Sequence, residues 1–142
     1  MDSGTLALLQ FLSRTSRLLD QLLNETAASW QISPPEVRIL LFLSCSPQSD
    51  TAKDVAFHCG MSKASVSGNV LKLVTRGLLT AEMDLSDRRF QRLTLTEQAE
   101  PVIDAVQNAA CRLQEEALGP LSPEDRAQFI KLLLNITPAS EG

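Results

Sequence analysis

Few side chains in this sequence are suited to catalysis or metal binding. There is one histidine, His58, and the three cysteines, Cys45, Cys59 and Cys111, form no C-x-x-C pair. A zinc site needs several such ligands, and a Ser-His-Asp triad would depend on that single imidazole. We therefore expect no enzymatic activity, no metal and no cofactor. The cysteines fall on apolar helical positions, which favours core packing over a redox role, and His58 is expected on a helix surface.

Positively charged side chains are concentrated between Ser62 and Arg92. This segment has six Lys and Arg against three acidic residues, a net charge of +3, whereas the rest of the chain has seven against fourteen, or −7. Because a polyanion responds to the local field, such a segment can bind DNA although the whole chain carries −4. Solvated cations on surface helices would explain the charges equally well.

The composition is that of one globular domain, with 142 residues of which 44% are hydrophobic. No apolar run approaches the ~20 residues of a membrane span, and the N-terminal residues lack the pattern of a signal peptide. We therefore expect a cytoplasmic protein with no membrane partner. Five Phe, one Trp and no Tyr leave few rings for stacking on single-stranded RNA.

The elements that position the charged residues are mostly helices. Leucines between Thr5 and Ser29 recur at steps of three, four and seven, which predicts a long amphipathic helix. Its apolar face is broader than one stripe, so we expect it to pack against a partner chain. Ser33 and Glu36 predict a capping box for a second helix over 34–45, and the residues from Pro47 to Asp50 predict a loop.

A helix-turn-helix follows. Thr51 is expected to cap a short third helix that ends at Gly60, and Ser62 to cap a fourth helix over 62–76. Gly77 closes this fourth helix. Its inward face is predicted to consist of Val66, Val70, Leu73 and Val74.

After the fourth helix, apolar residues recur at every second position instead of every 3.6 residues. Two short strands, 78–83 and 91–95, are predicted on either side of a polar turn. Thr96 is expected to cap a fifth helix, and Ser122 a last helix that Pro138 stops. A helix-turn-helix followed directly by a hairpin is the order of a winged helix.

The expected fold class is therefore all-α with a small β-hairpin wing (α+β). We assign residues 34–96 to a winged helix-turn-helix DNA-binding domain, and residues 1–33 and 97–142 to a helical dimerisation region. Within the first, 62–76 is the expected recognition helix and 84–92 the wing.

Two stretches of sequence resemble the MarR family of bacterial transcription regulators. They are Val55-Ala56-x-x-Cys59-Gly60-Met61-Ser62-Lys63-x-Ser65-Val66, continuing to Gly77-Leu78-Leu79, and Asp87-Arg88-Arg89 with Leu93-Thr94-Leu95-Thr96-Glu97. The resemblance implies a homodimer joined by its terminal helices, a pseudo-palindromic double-stranded DNA operator, and a small-molecule pocket between the dimer helices and the winged domain. The sequence departs from the family pattern at Cys59, Ala99 and Gly68, where leucine, glycine and often arginine are usual.

The candidate DNA contacts lie on the fourth helix and the wing. We expect Asn69 to read a base edge, because an amide can pair bidentately with adenine, and the cations toward the helix end to meet phosphates. The resemblance implies that Asp87 fixes the wing and Arg89 enters or flanks the minor groove. The full set is Ser62, Lys63, Ser65, Ser67, Asn69, Lys72, Arg76, Asp87, Arg88 and Arg89.

Together these features predict a dimeric DNA-binding transcriptional regulator, expected to be a repressor, and released by a small phenolic or other ligand where an effector exists. Trp30 lies near where relatives bind phenolic ligands, although it could equally fill the interdomain core. The alternative function is a winged-helix protein-interaction module without sequence-specific DNA binding.

Overall fold

The computed structural model describes residues 2–46 and 50–137. In chain order its elements are α1 (Ser3–Trp30), α2 (Pro34–Cys45), α3 (Ala52–Cys59), α4 (Lys63–Thr75), β1 (Leu79–Met83), β2 (Gln91–Leu95), a 3-10 turn (Glu97–Ala99), α5 (Glu100–Leu118) and α6 (Pro123–Ile136). This order confirms the predicted fold class. The predicted loop at Pro47 and the helix stop at Pro138 lie outside the described residues.

Local capping determines where the helices begin and turn. The hydroxyl of Ser33 accepts the N–H of Glu36 at 3.3 Å, and the Glu36 carboxylate accepts the N–H of Ser33 at 3.1 Å, so the predicted capping box is confirmed. Gly60 and Gly77 have φ of 65° and 77°, a left-handed conformation that costs glycine little. These two residues set the turns before and after α4.

Thr96 does not cap a helix as predicted. Its N–H donates to the carbonyl of Leu78 at 3.2 Å, and its hydroxyl donates to the carbonyl of Gly77 at 2.6 Å. The residue extends the β1–β2 pairing, and because its hydroxyl is used there, the following 3-10 turn begins without a side-chain cap.

One continuous core holds the winged region together. Ile39, Leu40, Val55 and Leu73 are fully buried, and the C-terminal half of α1 and the N-terminal half of α5 add side chains to the same cluster. Val74, predicted to face inward, is instead exposed, because it lies about 100° around the helix from Leu73. No helix within the described residues is long and apolar enough to cross a membrane.

Cys59 lies in the core as predicted, whereas Cys45, Cys111 and His58 depart from their predicted environments. Cys59 is buried, and burial raises the pKa of its thiol, but Cys45 and Cys111 are exposed. Cys111 is nine residues from buried Val102, about half a turn away, so it lies on the opposite side of α5. His58 is half-buried, stacked on the ring of Phe42 with centroids 5.1 Å apart, and is not a free surface residue.

Candidate nucleic-acid interface

One side of helix α4 packs against the core, and the opposite side faces solvent. Ser62 caps it by accepting the N–H of Ser65 at 3.0 Å, and its buried residues are Val66, Val70 and Leu73. With about 100° of rotation per residue, the positions opposite these three form a ridge. This outer ridge consists of Ala64, Gly68, Leu71 and Thr75, all exposed.

The edge of α4 that faces the α1–α2 junction is already engaged in internal contacts. The side-chain amide of Asn69 donates to the carbonyl of Ser65 at 2.8 Å, and its oxygen lies 3.5 Å from the hydroxyl of Ser33. At the helix end, the guanidinium of Arg76 donates to the carbonyl of Gln31 and, at 3.1 Å, to that of Trp30. Of the predicted contacts on this edge, Asn69 and Arg76 therefore tie the helix to its own domain, and Ser65 bonds only within α4 and its cap.

The other edge of α4 borders an open groove that runs toward the wing. This groove, of about 230 Å³, is lined by Ala52, Lys53, Lys63, Val66, Ser67, Arg89, Phe90 and Gln91. Three of these side chains are cationic, so the groove suits an anion. Lys53 was missed by the sequence analysis because the basic segment was taken to start at Ser62. The available signal was its position in the first turn of α3, the helix that precedes α4 in the helix-turn-helix.

The wing is an antiparallel hairpin in the register Leu79↔Leu95 to Met83↔Gln91. Arg92 anchors its base: its guanidinium pairs with Asp84 at 2.9 Å and also with Asp50, which precedes α3. The N–H of Leu93 donates to the carbonyl of Asp50 at 2.8 Å. Arg92 was counted in the basic segment, but its charge is balanced by two carboxylates that hold the wing against the helix-turn-helix.

Hydrogen bonds also shape the wing tip. Bonds from the Ser86 hydroxyl and N–H, together with Arg92, lower the pKa of Asp84 to about 2. Asp87 accepts Nη2 of Arg89 at 2.8 Å and Nε at 3.0 Å, and these bonds lower the pKa of Asp87. The Arg89 side chain is nevertheless 85% exposed. It is therefore pre-positioned, while its outer surface remains open.

In the part of the chain that the structure describes, the remaining cations of the interface have no carboxylate partner. Within residues 2–46 and 50–137, no salt bridge involves Lys53, Lys63, Lys72 or Arg88. Lys53 and Lys63 line the groove, Lys72 lies on the other flank of the outer ridge, and Arg88 is exposed in the wing turn. These four charges are available to a polyanion.

A second, apolar groove lies away from this interface, between α1, α5 and α6. It has about 580 Å³ and includes Phe11 and Phe129, whose rings meet edge to face with centroids 5.6 Å apart. Arg38 of α2 contributes a positive charge to its wall. Trp30, the predicted ligand contact, is the last residue of α1 and packs half-buried against the core.

The chain is similar to known proteins in both sequence and fold. Residues 30–89 match the sequence model of the MarR family. A MarR transcriptional regulator from Methanosarcina mazei Go1 matches with a TM-score of 0.74 and 17% identity, over 91% of this chain and 92% of that one. The S. aureus MepR-DNA complex matches with a TM-score of 0.68 and 18% identity, over 96% of each chain.

CouR from Rhodococcus jostii RHA1, bound to p-coumaroyl-CoA, matches with a TM-score of 0.69 and 22% identity, over 88% of this chain and 87% of that one. These likenesses extend the winged helix-turn-helix fold over nearly the whole chain, beyond the segment that the family model covers. The chain is thus similar to the MarR family in sequence over residues 30–89, which contain the helix-turn-helix and the first part of the wing, and it shares the fold of solved MarR regulators.

Proposed function

We propose that the chain is a dimeric DNA-binding transcriptional regulator. Helix α4 enters the major groove of a pseudo-palindromic operator, and the wing over 84–92 reaches the adjacent minor groove. The observation that carries this proposal is the groove in which Lys53, Lys63 and Arg89 converge beside the exposed ridge of α4, in a chain whose net charge is −4. The match to the S. aureus MepR-DNA complex supports the same function.

The contacts divide into two groups. Lys53, Lys63, Lys72 and Arg88 neutralise phosphates, while Arg89, held by Asp87, flanks the minor groove. The Ser62 end of α4 presents its backbone N–H groups to a phosphate, and Ser67 faces the DNA from the wing-side edge. For Asn69 to pair with adenine, its amide must first give up the bond to Ser65, so we give it a secondary role.

A second copy of the chain completes the molecule. Large apolar side chains near the N-terminus of α1 and along α6 are exposed, and α6 contains no buried residue. A twofold partner using residues 1–33 and 97–142 would cover these surfaces and place two copies of α4 about one helical turn of DNA apart.

We place an effector in the apolar groove, whose lining includes the exposed Leu12 and Leu133, so the dimer partner that covers these residues would form part of its wall. Its aromatic and aliphatic walls with a single guanidinium suit a small aromatic carboxylate, and CouR, which was solved with p-coumaroyl-CoA, shares the fold. The groove lies between the dimer helices and α2. A ligand that binds more tightly at one spacing of the two winged domains would shift the dimer toward that spacing. This shift would change operator affinity and release a repressor. An aromatic carboxylate should weaken operator binding, and Arg38→Ala should remove that effect.

The deciding experiment is selection of bound genomic fragments followed by salt titration of one selected duplex. Lys63→Ala should weaken binding to every sequence. It should also reduce the slope of the logarithm of the binding constant against the logarithm of salt concentration by about 1.8 per dimer, since each lost phosphate contact contributes about 0.9. Lys131→Ala, an exposed lysine on α6, is the matched control and should leave the slope unchanged. If no fragment binds more tightly than random duplex, the regulator proposal fails and the protein-interaction module replaces it.

A further inference from the structure

The outer ridge of α4 lacks the side chains that usually read bases by hydrogen bonding. Ala64, Gly68 and Leu71 have no polar side-chain atom, and the hydroxyl of Thr75 donates to the carbonyl of Leu71 at 2.8 Å. Of the long polar side chains nearby, Asn69 and Arg76 are bonded on the edge that faces the α1–α2 junction, and Lys63 and Lys72 lie on the flanks of the ridge, where we assign them to phosphates. Direct readout by this ridge must therefore depend on contacts other than hydrogen bonds.

Leu71 stands out on this ridge. It is 66% exposed and is the one large apolar residue on a ridge whose other members, Ala64, Gly68 and Thr75, are small. The neighbouring cations Lys63 and Lys72 favour a polyanion over an apolar protein surface as its partner. Among the base pairs, those that contain thymine present an apolar group, the 5-methyl, in the major groove.

Gly68 lies one turn before Leu71 on the same ridge. A Cβ added there would meet no atom within 4 Å, so packing inside the protein does not require glycine at this position. Glycine weakens a helix interior, and its usual compensation is close approach of the backbone to another molecule. The absent side chain lets α4 sit deeper in the groove, which brings Leu71 to the base edges.

We propose that Leu71 is a specificity-determining residue that packs on a thymine methyl group in each operator half-site, with Gly68 providing the close approach. This inference rests on the proposed function, since it assigns the sequence readout of the same helix. It predicts that operator preference follows the positions of thymine methyls.

Replacing single operator thymines by deoxyuridine tests this directly, because only the methyl group is removed. For wild-type protein, one position in each half-site should lose about fourfold in affinity, the value for one buried methyl-sized group. Leu71→Ala should bind thymine and deoxyuridine operators equally. Leu85→Ala, which truncates an exposed leucine on the wing, should keep the fourfold penalty. Gly68→Ala should fold normally and bind the operator more weakly.

The outcomes separate the two proposals. Specific binding with no deoxyuridine penalty at any thymine, or a penalty that persists in Leu71→Ala, overturns the readout by Leu71 and leaves the regulator function intact. Absence of specific duplex binding overturns the regulator function itself, and the readout with it.

Discussion

The winged core and the terminal helices bury their apolar side chains to very different extents. In α2, Ile39 and Leu40 are 0% exposed, whereas in α1 Leu8 and Leu12 are 56% and 53% exposed, and α6 has no buried residue. Both regions have amphipathic sequences. The difference shows that a single chain buries the winged core, while within the described residues the leucines near the N-terminus of α1 and along α6 stay exposed.

The C-terminal half of α1 links these regions. Leu23 and Ala27 belong to the same buried cluster as the winged core, although the other end of this helix is exposed. At the last residues of α1, Arg76 of α4 binds the carbonyls of Trp30 and Gln31. One continuous helix therefore connects the exposed end of α1 with the end of α4.

The largest effect should come from truncating the core. Leu40→Ala removes a fully buried side chain, and such substitutions cost about 2–5 kcal/mol in the free energy of unfolding. Urea denaturation should show this loss at every protein concentration. Leu12→Ala is the matched control from the exposed region, and its effect should depend on protein concentration. Equal, concentration-independent losses for both variants would contradict the distinction between the regions.

The next effect should appear in assembly. Leu12→Asp places a charge on the apolar surface that we assign to the dimer, and a twofold interface contains it twice. The dissociation constant should rise by more than about 100-fold in analytical ultracentrifugation, which is the order expected from two such charges. Helicity by circular dichroism should be retained. Leu85→Asp on the wing should leave the dimer unchanged, and a similar dissociation for this variant would contradict the assignment.

Sequence patterns predicted those features of the two regions that depend on residues close together in the chain. The order of the helices, the Ser33–Glu36 capping box and the left-handed Gly60 are set by neighbours within four residues and were confirmed, whereas the inward position of Val74 and the Thr96 cap were wrong. Contacts between distant residues were not predicted. Asn69 was expected to face DNA because its helical position is polar, but its bond partners depend on how α2 packs. Arg92 pairs with Asp50, 42 residues away, which no periodicity indicates.

Weakening the wing should have a smaller effect on stability than either change above. Arg92 is partly exposed, so its ion pairs are screened by solvent and Arg92→Ala should lower the free energy of unfolding only slightly. Amide hydrogen exchange should nevertheless speed up in β1 and β2 and remain slow in α2. Arg92→Lys is the control that keeps the charge, and it should restore part of the protection. Unchanged exchange in the wing of Arg92→Ala would show that the β1–β2 pairing alone fixes it.

The smallest effect should come from acid. The pKa of Asp84 is about 2 in the folded chain, compared with 3.8 as its ordinary value, and the pKa of Asp87 is also lowered. Because a lowered folded pKa favours the ionised carboxylate, these residues stabilise the wing fully above about pH 4 and progressively less as pH falls toward 2. The carboxyl carbon of Asp84 should titrate in NMR with a midpoint near 2, and wing amides should shift over the same range. In Asp84→Asn this part of the wing response should disappear, since the amide has no proton to gain. A midpoint near 3.8 for Asp84 would mean that its bonds to Ser86 and Arg92 do not persist in solution, and that the β1–β2 pairing and the Arg92–Asp50 pair hold the wing without them.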